Sequence, residues 1–163
     1  MCRILLIDDD TDILDVYTDA LKVSDITTKS ASSRKEALTI LQWYSPDVII
    51  LDYCFPDAMG DTLFKALPRH RAEVIVATGL EAATEPKFRA RLLDMGAAYV
   101  MQKPVDIEEL RAVVRKATRY RHALDILRST EDYSSGLLLE QLTKSVAVLE
   151  ETRKAMNGRT QPA

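Results

Sequence analysis

The sequence predicts an α/β fold: a doubly wound, five-stranded parallel sheet with helices on both faces. Three observations carry that expectation. Four short runs are uniformly apolar: Ile4-Leu5-Leu6-Ile7, Val48-Ile49-Ile50-Leu51, Val74-Ile75-Val76-Ala77 and Tyr99-Val100-Met101. Each is too short for a helix and too apolar for a strand with one wet face, so each reads as a strand buried on both sides. The stretches between them have helical spacing. Strand and helix alternate five times, and right-handed crossovers then produce parallel strands between two helical layers.

Taken in order, Ile13, Leu14, Tyr17, Ala20 and Leu21 mark one face of a helix near 12–23. A weaker strand follows over residues 26–30, and its polar content suits a sheet edge. Ser33-Arg34-Lys35-Glu36 forms a capping box opening a second helix, with Ala37, Leu38 and Leu41 inward and Pro46 as its stop. Two more helices fit 61–67 and 85–95, and a fifth starts near Ile107.

Composition bounds the function. The chain has 163 residues, 22 Lys+Arg against 25 Asp+Glu, a net charge of −3, 47% apolar and 29% charged side chains. That is core material for one domain with an appendage, and it excludes a disordered chain. Residues 1–105 hold 12 basic and 16 acidic side chains, and the remainder 10 and 9, which argues against a generally cationic nucleic-acid binder. Cys2 and Cys54 are too few for a disulfide scaffold or a four-thiolate zinc site and suit a reducing compartment. No apolar run reaches the length of a membrane span, and Met1-Cys2-Arg3 is unlike the start of a signal peptide. The expectation is a soluble cytoplasmic protein.

In open parallel sheets ligands bind beyond the carboxyl ends of the strands. Here those ends carry Asp8-Asp9-Asp10, Asp52, Thr78 and Gln102-Lys103-Pro104. Adjacent carboxylates repel, and a hard divalent cation relieves them; magnesium favours one or two carboxylates with waters and a phosphate oxygen. A carboxylate nucleophile, a hydroxyl donor and an ammonium group around such an ion suit phosphoryl transfer. The plainer alternative makes Asp8–Asp10 a helix cap and Lys103 a surface residue. Four polar strand ends at once outweigh it.

With these residues in place, residues 2–120 resemble a response-regulator receiver domain, the phosphoacceptor module of two-component signalling. The resemblance rests on Asp8-Asp9, on Asp52 followed by Cys54, Pro56 and Gly60, and on Thr78, Gly96 and Lys103-Pro104, in order and correctly spaced. It implies a flavodoxin-like sheet of order 2-1-3-4-5. It also implies that Asp52 accepts a phosphoryl group from a histidine kinase or phosphotransfer protein. Mg²⁺ would be held by Asp9 directly, Asp8 mainly through water, Asp52, and the backbone carbonyl of Cys54. Thr78 would donate its hydroxyl, Lys103 would pair with a phosphoryl oxygen, and Pro104 would follow a cis peptide bond. No turnover of an external substrate is expected. Phosphatases of the aspartyl-phosphate type usually carry a second aspartate where this chain has Cys54.

Three positions depart from the family pattern. Its switch aromatic, three residues before the lysine, is Val100 here; Tyr99 is one residue earlier and should face the other way, as a packed aromatic. Cys54 and Leu80 stand two residues after Asp52 and Thr78, where side chains govern water access, so slow self-dephosphorylation is expected. His70 and His122 have no ligand spacing, and Trp43 reads as a packing residue.

Beyond residue 120 the helical pattern runs on. Leu110, Val113, Ala117, Tyr120, Leu124 and Leu127 form one stripe. A break falls at Tyr133-Ser134-Ser135-Gly136, then Leu139, Leu142, Val146 and Leu149 form a second stripe that stops near Asn157-Gly158. The expected division is a receiver over 1–120, a helical extension over 121–158 and a frayed tail over 159–163. The extension is too small to fold alone, so it would form a helical hairpin packed on the receiver, a dimer of such hairpins or a docking site for a helical partner, with homodimerisation preferred. The basic residues Arg111, Arg115, Lys116, Arg119, Arg121 and Arg128 are interleaved with Glu108, Glu109 and Asp125, which favours a solvated or protein-docking face over nucleic acid. An adaptor insensitive to phosphorylation, and the input part of a larger regulator, are the alternatives.

Overall fold

The computed structural model describes residues 1–55, 58–67 and 71–130, with helical residues 140, 143, 144, 146–148, 150 and 151. The elements alternate as β1 (Cys2–Ile7), α1 (Thr11–Ala20), β2 (Ile26–Ala31), α2 (Arg34–Ile40), β3 (Val48–Asp52), α3 (Gly60–Ala66), β4 (Glu73–Thr78), α4 (Pro86–Asp94), β5 (Tyr99–Gln102) and α5 (Ile107–Thr130). A two-residue antiparallel pair, Cys54–Phe55 with Ala58–Met59, precedes α3, and a short 3-10 turn, Glu81–Thr84, precedes α4.

The five main strands form one sheet of order β2-β1-β3-β4-β5, all parallel. The three central strands are nearly water-free, as their uniform apolarity requires: Ile4, Leu5, Leu6, Val48, Ile49, Leu51, Ile75 and Val76 are all 0% exposed. Burying one such side chain contributes about 2 kcal/mol. Alternation then divides the core. Ile4, Leu6, Ile50, Ile75 and Tyr99 pack under α1 and α5, whereas Leu5, Ile7, Leu51, Val76 and Val100 pack under α2, α3 and α4. The polar β2 lies at an edge, as predicted.

The caps explain where the helices begin and end. Asp10 caps α1, its Oδ1 accepting the N–H groups of Asp12 and Ile13 at 2.9 and 3.3 Å. Ser33 Oγ accepts from the Glu36 N–H at 3.2 Å, but the Glu36 carboxylate reaches one residue further back than a capping box requires, to the N–H and hydroxyl of Ser32. Gly96 follows α4 at φ 104°, a left-handed conformation that glycine adopts without a Cβ penalty. Its neighbour's N–H, from Ala97, closes back on the Leu92 carbonyl at 2.9 Å.

Two readings change. Helix α2 stops at Ile40, well before Pro46, because the chain turns to lay Tyr44 across the sheet, where its hydroxyl donates to the Thr27 carbonyl at 3.1 Å. Trp43 is left 63% exposed in that turn and does not pack in the core. Its ring meets the Lys29 ammonium at 5.7 Å and the edge of Tyr44.

Helix α5 runs unbroken to Thr130. Its sheet-facing line is Leu110, Val113, Val114, Ala117 and then Arg121, not Tyr120. Tyr120 turns aside and its hydroxyl donates to Glu150 Oε1 at 3.0 Å. Of the second stripe only Val146 is among the described residues; Leu139, Leu142, Leu149, the break at 133–136, the stop at 157–158 and the tail at 159–163 lie outside them, as do Pro56 and His70. Among the described residues no helix is long and apolar enough to cross a membrane.

Candidate functional site

The four strand ends converge as predicted. Register aligns Ile7 of β1 with Leu51, Asp52 with Ala77, and Thr78 with Gln102, so the residues just past each run share one rim of the sheet. Lys103 is tied to that rim by its own N–H, which donates to the Thr78 carbonyl at 2.9 Å. The Lys103–Pro104 peptide is cis.

Lys103 is no surface residue. Its Nζ donates to Asp8 Oδ2 and Asp52 Oδ2, each at 2.7 Å, and the side chains of the three are 15%, 4% and 7% exposed. Burial pushes the Asp8 carboxyl above its ordinary value, with the Lys103 bonds opposing it. Burial also works against the Lys103 ammonium, but the bonds to Asp52 and Asp8 outweigh it and its pKa is raised. Asp52 Oδ1 accepts the Cys54 N–H at 2.9 Å, and Asp8 Oδ1 the Asp10 N–H at 3.1 Å, so backbone donors fix both carboxylates.

Asp9 completes the acidic group from an exposed position. Carboxylate oxygens of Asp8, Asp9 and Asp52 lie within 4.8 Å of one another. Three oxygen donors, two of them buried, fit a hard divalent cation, and one lysine does not neutralise three carboxylates. Asp10 belongs to the helix cap and not to this group.

Thr78 is fully buried beside them. Its Oγ1 accepts the Leu80 N–H at 3.2 Å and lies 3.4 Å from Cys54 Sγ. Leu80 itself is half-buried against the core. Tyr99 and Val100 face opposite sides of the sheet, at 6% and 5% exposure, so Tyr99 is a packed aromatic under α5 and cannot take the place of an aromatic at Val100.

One connection at the site has almost no signal in the sequence. Tyr53, next to Asp52, is buried, and its hydroxyl donates to Asp61 of α3. Asp61 also takes the Arg91 guanidinium of α4, and the Phe88 ring meets Tyr53 edge-on at 5.5 Å. Burial, reinforced by Asp61, pushes the Tyr53 phenol up to about 12, so it stays a donor. A tyrosine directly after the strand's last acid was the one signal; which helices it ties requires the fold.

A doubly wound sheet of this order, with a lysine-bridged carboxylate pair and a buried threonine at one rim, is the arrangement that the sequence resemblance implies for a receiver fold. The profile of the response regulator receiver domain matches residues 4–115, and the chain belongs to that family: it is a receiver domain of a two-component response regulator. Among its relatives is the transcriptional regulatory protein KdpE of Staphylococcus aureus, 32% identical over 90% of this chain and 62% of that protein. Another is the sensor histidine kinase TmoS of Ectopseudomonas mendocina, 29% identical over 96% of this chain and 16% of that protein. The chain thus spans less than two thirds of the length of these curated relatives. Solved receiver domains match the fold, including one from Clostridium thermocellum (TM-score 0.65, 27% identity, 76% of this chain and 99% of that one). A CheY-like receiver from Methanospirillum hungatei gives a TM-score of 0.65 at 25% identity, over 75% and 97%.

Proposed function

We propose that the chain is a phosphorylation-controlled switch in which Asp52 takes a phosphoryl group from a phosphohistidine of a kinase or phosphotransfer protein. One observation carries this reading: a buried aspartate at the end of the central strand shares a lysine with Asp8 and stands within reach of Asp9 and Thr78. An Asp52 oxygen attacks phosphorus as the phosphorus–nitrogen bond breaks and the imidazole leaves. Mg²⁺, held by Asp8, Asp9, Asp52 and the Cys54 carbonyl, would supply positive charge to the phosphoryl oxygens. Lys103 would exchange its Asp52 bond for a phosphoryl oxygen, and the Thr78 hydroxyl would turn from Cys54 to donate to another. The site transfers a group to itself and offers no second carboxylate at Cys54 for turnover of an external phosphoester.

With acetyl phosphate and Mg²⁺, intact-mass measurement is expected to show one added phosphoryl group, and chelation by EDTA to prevent it. No addition under either condition would refute the reading. We assign residues 1–120 to the receiver and 121–158 to an output extension, with a tail over 159–163. That extension would act through dimerisation or helical-partner docking. Light scattering of the phosphorylated chain is expected to show a larger species than the unmodified one; a strict monomer at high concentration would remove dimerisation.

Leucine cannot orient an attacking water, so Leu80 shields the acyl phosphate. Its replacement, Leu80→Ala, is expected to shorten the phosphoryl half-life severalfold. An unchanged half-life would leave shielding without support. Val100 motivates a second reading, an adaptor of constant shape, and amide exchange indifferent to phosphorylation would favour it.

A further inference from the structure

At the sheet edge opposite Asp52, the starts of the strands and the second half of α5 enclose a groove of about 430 Å³. Its floor is apolar, with Cys2 and Val114 buried and Ile26 half-buried, and Thr118 Oγ1 lies 3.3 Å from Cys2 Sγ. Its rim is unevenly charged. Asp47 is engaged by Arg3 at 3.1 Å, and Asp125 by Arg121 at 2.6 Å. Arg115, Arg119 and His122 line the exposed wall and pair with no carboxylate among the described residues; of the lining acids only Asp25 is likewise unpaired among them.

Among the described residues, the contact that α5 makes with Glu150 lies away from this wall. Tyr120, which holds Glu150, is two residues from both Thr118 and His122, hence on the opposite side of a helix with about 3.6 residues per turn. The volume falls within the range of small-molecule pockets, roughly 300–1,000 Å³.

We propose that this groove binds a small anionic amphiphile, its apolar body against Cys2, Ile26 and Val114 and its carboxylate, sulfonate or phosphate toward Arg115 and Arg119. The complementarity is chemical. An anion gains two guanidinium partners that no carboxylate among the described residues neutralises, and an apolar body covers Val23, 57% exposed at the groove's edge, and the half-buried Ile26. The site is independent of phosphoryl transfer, so Asp52→Asn should bind equally well.

The test uses the full chain and 8-anilinonaphthalene-1-sulfonate, an apolar aromatic body with one sulfonate. Saturable one-to-one binding is expected, with amide shifts concentrated at Cys2, Ile26, Val114 and Thr118. The exposed pair of changes Arg115→Gln and Arg119→Gln should weaken it about tenfold through lost charge-assisted bonds. Thr118→Trp should fill the groove and abolish binding; if that chain fails to fold, the arginine pair decides. Non-saturable binding, shifts elsewhere, or full affinity in the arginine variant would overturn the proposal. So would a change in the unliganded chain's sedimentation caused by the arginine pair, which would reassign the groove to a second copy.

Discussion

A chain carrying Asp52→Asn is expected to take up no phosphoryl group from acetyl phosphate and Mg²⁺, against one per wild-type chain. Asparagine keeps the shape and can still accept the Cys54 N–H that now holds Asp52 Oδ1 at 2.9 Å. What it loses is the anionic oxygen, and with it the nucleophile and one cation ligand. Asp8, held by Lys103 and the Asp10 N–H, and Asp9, exposed outside the lysine bridge, are expected to remain as cation ligands and to take no group themselves. Folding should be preserved, because removing one of two neighbouring buried carboxylates relieves repulsion that Lys103 only partly offsets. Intact mass and a urea melt on the same sample separate the two effects. Equal phosphorylation of wild type and variant would sink the assignment of Asp52.

The second large effect is expected from Lys103→Ala. This ammonium bridges two carboxylates at 2.7 Å each, with all three side chains largely out of water. Removing one partner of a buried ion pair leaves uncompensated charge and costs about 3 kcal/mol or more. In urea without divalent cation the variant should therefore unfold at clearly lower denaturant. Mg²⁺ should restore part of the loss, since a cation among Asp8, Asp9 and Asp52 replaces the missing positive charge. Adding Asp52→Asn should also recover stability, giving strong non-additivity between positions 52 and 103. A cost under about 1 kcal/mol that is indifferent to Mg²⁺ would show that the bridge matters little.

Much of the site was legible because its parts are local. A uniformly apolar run followed by a polar residue marks both a buried strand and its carboxyl end, and the parallel sheet brings such ends together. Asp8, Asp9, Asp52, Thr78 and Lys103 all meet for that reason. The polar strand 26–30 was placed at an edge on the same logic. Less legible was anything that depends on which helix lies over which strand. Tyr53, Asp61 and Arg91 lie in three separate segments, and no periodicity links them; their contact exists because α3 and α4 cover the same face as Leu51 and Val76. Trp43 reads as a packing residue because large aromatics are usually covered, yet the early end of α2 leaves it exposed beside Lys29.

Helix α5 shows the division most clearly. Helical spacing along 107–130 follows from side-chain pattern, since apolar residues at steps of three and four make one face of a helix whatever it packs on. Which line of that helix turns to the sheet does not follow, because Leu110, Val113 and Ala117 are common to two adjacent lines that diverge only at Tyr120 and Arg121. The packing chooses Val114 and Arg121 for the sheet and leaves Tyr120 for Glu150. Local hydrophobic pattern and strand-end chemistry therefore dictate the elements and the carboxylate–lysine rim. The helix rotations, the Tyr53 linkage and the cationic groove emerge only when separate segments compete to cover the same surface.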